Sequence, residues 1–278
     1  QALDLIEAER ISVLHGVPTQ TWEVMQSDKF DSTDLRSLRG VQSGGAPRPP
    51  EHLSMMLGKF PAQAIPGLGY GLTETNAIGA IISGKFYESR PHSTGRPTPP
   101  VTTLVIHDEA GRELETGEDG EICIKGPTIM KGYWNMPEET AKAMPGDGWL
   151  RSGDIAYMVD GYLYIHDRLK DMIISGGENV YPAEIENALM SHDGIADLAV
   201  IGVPDEKWGE VGKALVVPVP DSGVTADEIL AYARERLAGF KIPRSVDFVE
   251  AIPRNPSGKI LKRELREPYW EGHDRRVG

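Results

Sequence analysis

Cysteine is nearly absent from this chain. Cys123 stands alone in 278 residues, which excludes an internal disulfide and with it the stapled scaffold of a small secreted domain. Its setting, Glu121-Ile122-Cys123-Ile124, alternates like a half-buried strand and assigns the thiol to packing. Positive charge is also short. Lys and Arg number 29 against 42 Asp and Glu, a formal charge of −13, so the basic face of a nucleic-acid groove is not expected. No apolar run approaches the roughly 18 residues of a membrane span, and no signal-peptide pattern is visible. The cytoplasm is therefore the expected compartment. The seven histidines show no spacing suited to a metal site, which argues against a zinc enzyme.

What is present fits an ordinary globular protein, 40% hydrophobic and 26% charged. The length allows about two domains with real cores. Strand and helix signals alternate at first: a helix over 3–10, a strand over 11–17, a helix start over 21–26, a strand over 38–43 and a helix over 50–60. A further strand runs into Gly69. This is βα architecture, which places ligands at strand ends. Over 94–158 the texture turns β-rich, with Gly-rich turns between strands such as Thr103-Leu104-Val105-Ile106. Asp160-Gly161 between alternating runs is a hairpin signal. An α+β pattern follows: helix 182–190, strands 195–203 and 213–219, and helix 225–237 opened by a Thr225/Glu228 capping box. The expected division is 1–167 and 168–278.

Five short motifs interrupt this background. Gly69-Tyr70-Gly71-Leu72-Thr73-Glu74-Thr75 permits a tight strand-to-loop path, with Thr73 able to donate to a phosphate oxygen and Glu74 a hard oxygen ligand for Mg²⁺. The bland reading makes Thr73-Glu74 an N-cap pair opening a helix. Gly132-Tyr133-Trp134 comes next and reads as structural, with Trp134 a packing residue. Asp154 in Arg151-Ser152-Gly153-Asp154 suits a carboxylate taking both hydroxyls of a ribose, or else a turn residue. Asp167-Arg168-Leu169-Lys170-Asp171 leads into Ser175-Gly176-Gly177-Glu178-Asn179, whose glycines alone would read as a hairpin turn. Last, Asn255-Pro256-Ser257-Gly258-Lys259-Ile260 presents one lysine, a point charge on a long stem, with Gly258 allowing close approach.

In this order the motifs resemble the adenylate-forming enzymes, namely acyl-CoA synthetases, luciferases and peptide-synthetase adenylation domains, and acyl-CoA synthetases most. The resemblance covers nearly the whole chain. It implies an α/β plus α+β fold: the carboxyl-terminal part of a large AMP-binding domain (βα layers and a small β-rich subdomain), then a small mobile α+β lid. It implies ATP, Mg²⁺, CoA and a small-molecule carboxylic acid as ligands. Lys259 would bridge the acyl carboxylate and the α-phosphate, and Thr73 and Glu74 would serve phosphate and metal. Tyr70 and Gly71, with the turn Gly44-Gly45-Ala46-Pro47, would line the adenine, while Asp154 and Arg168 would reach the ribose or phosphates. Lys170 would be the hinge, and Gly176 and Gly177 would leave room for pantetheine. Glu184 and Glu186 read as salt-bridged helix residues, and Lys241 and Arg244 as solvated surface sooner than CoA contacts. Gly69, Asn76, Ala77 and Ile78, with 17–22, would border an acid pocket. No acidic residue is placed to catch an ammonium, which favours an aliphatic or aryl acid over an amino acid.

The family's Ser/Thr/Gly-rich phosphate loop does not occur here, and Gln1 begins in mid-helix. The chain is therefore expected to be the carboxyl-terminal half of a longer enzyme, inactive alone, with apolar surface left exposed or shared in a homo-oligomer. Two alternatives stay open, an enzyme loading a carrier protein and a non-catalytic nucleotide-binding fragment, beside a third rival, a luciferase. Ile174, where luciferases carry Lys, disfavours the last.

Overall fold

The computed structural model describes residues 1–46, 48, 50–255 and 258–272. Pro47, Pro256 and Ser257, three positions of the motifs above, lie outside them. The chain divides into two compact units, Gln1–Ile165 and His166–Gly278.

In the first unit, Ala2–Ala8 (α1) buries Leu3 and Ile6 on one stripe. Val13–Gly16 (β1) and Pro18–Gln26 (α2) follow. The helix starts earlier than residue 21 because Pro18 occupies its first turn, where a missing N–H is not needed. Then come Gly40–Gly44 (β2), Pro50–Lys59 (α3), Ile65–Tyr70 (β3), Ala80–Ser83 (β4), Gly84–Ser89 (α4) and Arg96–Pro97 (β5). The sheet runs β1-β2-β3-β4-β5. Its first three strands are parallel, and β4 and β5 turn antiparallel. α1, α2 and α3 supply Leu3, Ile6, Met25 and Met56 to a core that Val41 of β2 joins.

A second sheet is antiparallel where its register is defined: Thr103–His107 (β6), Gly120–Lys125 (β7), Leu150–Val159 (β8) and Tyr162–Arg168 (β9), in that order. Pro137–Ala143 (α5) lies between β7 and β8 in sequence. Asp160 and Gly161 join β8 to β9 with φ of 53° and 75°, the two left-handed positions of a type I′ turn. Cys123 is fully buried on β7, and burial, with Glu121 beside it, pushes the thiol up to about 12. Packing is its role.

The second unit holds Ile173–Ser175 (β10), Glu178–Val180 (β11), Pro182–Leu189 (α6), Ile195–Asp205 (β12), Gly209–Pro218 (β13), Ala226–Arg234 (α7), Ser245–Phe248 (β14) and Lys262–Arg266 (α8). The sheet order is β11-β10-β13-β12, and β14 pairs parallel with β13. β12 is apolar almost throughout because both its faces are covered. Leu198 and Val200 join Ile185 and Leu189 of α6 and Ile229 of α7. Ala199, Ile201 and Val203 face the other way, onto Ile252, Ile260 and Leu265. The segment that carries Lys259 is thus held against this second face. α7 opens on the expected capping box: Glu228 N donates to Thr225 Oγ1 at 3.3 Å, and Thr225 N to Glu228 Oε2 at 2.8 Å.

Candidate functional site

β3 ends at Tyr70, and the chain then folds back sharply over residues 71–79. Gly71 is required there, since a Cβ would lie 2.3 Å from the Ala77 carbonyl carbon and 2.4 Å from its oxygen. Thr73–Thr75 is a single 3-10 turn with Leu72 at its N-cap, and the Thr75 side chain, not that of Thr73, bonds the N-cap backbone. The Leu72 N–H donates to Thr75 Oγ1 at 3.0 Å, and that buried hydroxyl donates to Leu72 O at 3.1 Å. Thr73 is thereby released from a capping duty, and its side chain stands exposed. Asn76 and Ala77 adopt φ of 53° and 62°, and the Asn76 amide donates to Thr128 O at 2.9 Å.

Further contacts tie Tyr70 and this loop to the second sheet and to the segment that follows β7. The Tyr70 hydroxyl donates to Asp154 Oδ2 at 2.7 Å, and Asp154 on β8 is 5% exposed. Tyr70 and Asp154, 84 residues apart, are brought together. The Tyr133 hydroxyl donates to Glu74 Oε1 at 2.7 Å, and that hydrogen bond, followed by burial, raises the phenol to about 12. Met130 N donates to Glu74 O at 2.8 Å. Tyr133 is thus the hydrogen-bond partner of Glu74, a pairing that its spacing in the sequence does not signal. Trp134, expected to be a packing residue, needs a correction. It is 89% exposed, in a loop whose next residue, Asn135, has φ of 55°, and so packs little of its indole.

Gly44 and Gly45 close β2 beside the same strand end. A Cβ on Gly44 would meet the Gly69 carbonyl oxygen at 2.9 Å, and Gly45 has φ of 79°. Ala46 follows, so the turn 44–46 and Gly69-Tyr70 are adjacent through the pairing of β2 with β3. Ile78 is half-exposed. A cleft of about 290 Å³ lies elsewhere, between α3, β3 and α4, and contains none of these residues except the flank of β3.

The remaining expected residues belong to the second unit. Arg168 closes β9, its N–H donating to Asp167 Oδ1 at 2.7 Å. Lys170 is exposed within the 3-10 turn Leu169–Asp171. Gly176 and Gly177 form the two-residue turn between β10 and β11, with φ of 62° and 93°. A Cβ on Gly176 would strike the Trp208 ring at 2.6 Å, whereas Gly177 meets nothing within 4 Å. Asn255 frames the Lys259 turn: its Oδ1 accepts from Lys259 N at 2.9 Å, and its N–H donates to Lys259 O at 2.9 Å. Glu184 and Glu186 are ion-paired as expected, with Lys241 at 2.7 Å and Lys262 at 2.8 Å.

The family model described as AMP-binding enzyme matches residues 1–134, and that described as AMP-binding enzyme C-terminal domain matches 184–259. The chain belongs to the AMP-binding, adenylate-forming enzymes. A feruloyl-CoA synthase of an Amycolatopsis species is 45% identical over 268 residues, covering 96% of this chain and 54% of the relative. The long-chain-fatty-acid–CoA ligase FadD13 of Mycobacterium tuberculosis is 44% identical, covering 95% and 52%. Among solved structures, ATP-bound MatB from Rhodopseudomonas palustris superposes with a TM-score of 0.87 at 35% identity, covering 98% of this chain and 53% of MatB. The chain therefore spans about half the length of the curated relatives it matches.

No helix among the described residues is long and apolar enough to cross a membrane, and no group of three or more His, Cys, Asp or Glu clusters as a metal cage among them. Mg²⁺ needs no such cage, since it takes one or two carboxylates plus waters and substrate phosphates. Glu74, with Oε1 engaged by Tyr133, leaves Oε2 to such an ion. The residues fit.

Proposed function

We propose that the protein carrying this chain is an ATP-dependent carboxylate–CoA ligase. In the first half-reaction an acid's carboxylate oxygen attacks the α-phosphorus of ATP. The bond to the pyrophosphate oxygen breaks, and acyl-AMP remains. In the second, the CoA sulfur attacks the acyl carbon, the bond from that carbon to the bridging oxygen breaks, AMP departs with that former carboxylate oxygen, and the thiol proton goes to solvent. The observation that carries this reading is the buried Asp154 carboxylate held by Tyr70, next to an exposed Thr73 and a half-engaged Glu74.

In this reading the Tyr70 ring, Gly71 and the turn of Gly44, Gly45 and Ala46 flank the adenine, and Asp154 takes the ribose hydroxyls. Thr73 donates to a phosphate oxygen, and Glu74 holds Mg²⁺, which supplies charge neutralisation on the phosphates. Lys259 stabilises charge building on the α-phosphate as pyrophosphate leaves. Arg168 adds a second cation near the ribose or phosphates. The chain turns at Lys170 between half-reactions, and Gly176 and Gly177 then leave a path for pantetheine, a conformational gate of a common kind. Gly69, Asn76, Ala77 and Ile78 border the acid, whose class is aliphatic or aryl. Two relatives are named for feruloyl and long-chain fatty acids, which supports that range. Cytoplasmic placement belongs to the same reading.

The test offers a panel of aliphatic and aryl acids with ATP and Mg²⁺, followed by CoA, with products read by mass spectrometry. Acid-dependent pyrophosphate and acyl-AMP, then a CoA thioester, are expected. Pyrophosphate release with no acid in the panel, or an acyl-AMP that reaches only a carrier protein, contradicts the proposal.

A further inference from the structure

The Lys259 turn runs directly into α8, and α8 ends on the segment that opens the second unit. Arg266 Nη1 donates to the Lys170 carbonyl oxygen at 3.1 Å and to Asp171 Oδ1 at 2.9 Å. Both side chains of that ion pair are only 11% exposed. The Lys170 carbonyl is the first group downstream of that residue's own φ and ψ. Arg266 therefore grips the chain at the first atoms that travel with the second unit when Lys170 turns.

The same helix is anchored to the body of the unit. Lys262 pairs with Glu186 of α6 at 2.8 Å, the side chains 11% and 18% exposed. Burial opposes the Lys262 charge, yet Glu186, Asp167 and Asp171 outweigh it and hold the ammonium above its usual range. On the other side of the Lys170 torsions, Asp167 Oδ2 accepts from Ala183 N, at the start of α6, at 2.8 Å. A rotation at Lys170 moves Asp167 relative to α6 but leaves the Arg266 contacts intact.

We propose that Arg266 is a positioning residue that joins the Lys259 turn, through α8, to the first peptide beyond the Lys170 pivot, so that turn and pivot move as one body. The Asp167–Ala183 hydrogen bond, the Met172 N–H to Arg168 O hydrogen bond at 3.0 Å and the His166–Tyr181 ring stack at 4.6 Å are then among the contacts that open when the chain swings. This rests on the roles given above to Lys170 and Lys259.

Amide hydrogen exchange and the two half-reactions are compared in the protein and in Arg266→Ala. Losing a charge-assisted contact should quicken exchange over residues 169–175 by about tenfold or more, with β12 and β13 unaltered. Acyl-AMP formation at saturating ATP should fall by a similar factor with KM for ATP unchanged, and Arg266→Lys should recover much of both. Should Arg266→Ala unfold through the orphaned Asp171 carboxylate, Arg266→Ala combined with Asp171→Asn is expected to give the same pair of effects in a folded protein. Unchanged exchange over 169–175, or quickened exchange with acyl-AMP formation intact, overturns the inference. If the unaltered protein makes no acyl-AMP, the ligase reading fails, and the exchange measurement decides the grip by itself.

Discussion

A methyl group at Gly71 would be driven into backbone, not into a side chain that can step aside. Gly71→Ala should therefore distort the loop that carries Thr73 and Glu74, costing about 1–3 kcal/mol of stability as overpacking does. Thermal melts should register that loss, and acyl-AMP formation should fall with it. His52 makes a separate prediction. It is 4% exposed and set edge-on to Trp22 at 5.4 Å. Burial, then the Arg48 charge, lowers its pKa from 6.5 to about 4. The unfolded chain takes up a proton below 6.5 and the folded chain does not, so stability falls as pH drops from about 6.5 to about 4. The loss reaches about 3 kcal/mol. Melts of His52→Gln should lose much of that acid sensitivity; an unaltered pH profile would show that other groups carry it. At this scale the sequence spoke unevenly. Gly71, Asp154 and Glu74 sit in motifs whose chemistry names them. Tyr133 and Trp134 do not: both are exposed, and Tyr133 is set apart only by its hydrogen bond to Glu74, 59 positions earlier in the chain.

Local signals resolved the elements that close on themselves. Asp160-Gly161, the Thr225–Glu228 box and the apolar run of β12 each depend on neighbours a few residues away. Thr225→Ala should cost about 0.5–2 kcal/mol through the lost cap, seen as a lower melting temperature with the fold kept. The short elements were not legible. β5 has two residues and α8 five, too few to show a period. What gives α8 its place are distant partners: Arg266 meets Asp171, 95 positions earlier in the chain, Lys262 meets Glu186, and Leu265 packs on β12. Lys170 lies in the same 3-10 turn as Asp171. Proline there fixes φ and restricts Leu169, so Lys170→Pro should keep acyl-AMP formation while transfer to CoA collapses. Transfer from supplied acyl-AMP at the unaltered rate would remove Lys170 from the pivot.

For the molecule as a whole, the order of motifs along the chain carried the family, and the two units divide at Ile165/His166, where the β-rich stretch gives way to an α+β sheet. The phosphate loop expected of the family is not among these 278 residues. We expect the chain by itself to bind AMP-like ligands weakly and to form no acyl-adenylate, since several charge-assisted hydrogen bonds of about 1.5–3 kcal/mol each are missing. Nucleotide titration of the isolated chain would check this, and measurable acid-dependent pyrophosphate exchange would contradict it. The most direct measurement separates the half-reactions in Lys259→Ala within the protein carrying this chain. Acyl-AMP formation should fall by a factor of about 10² or more, while supplied acyl-AMP is still converted to the CoA thioester. Equal loss in both half-reactions would place Lys259 in folding or in a shared step and contradict its role at the α-phosphate.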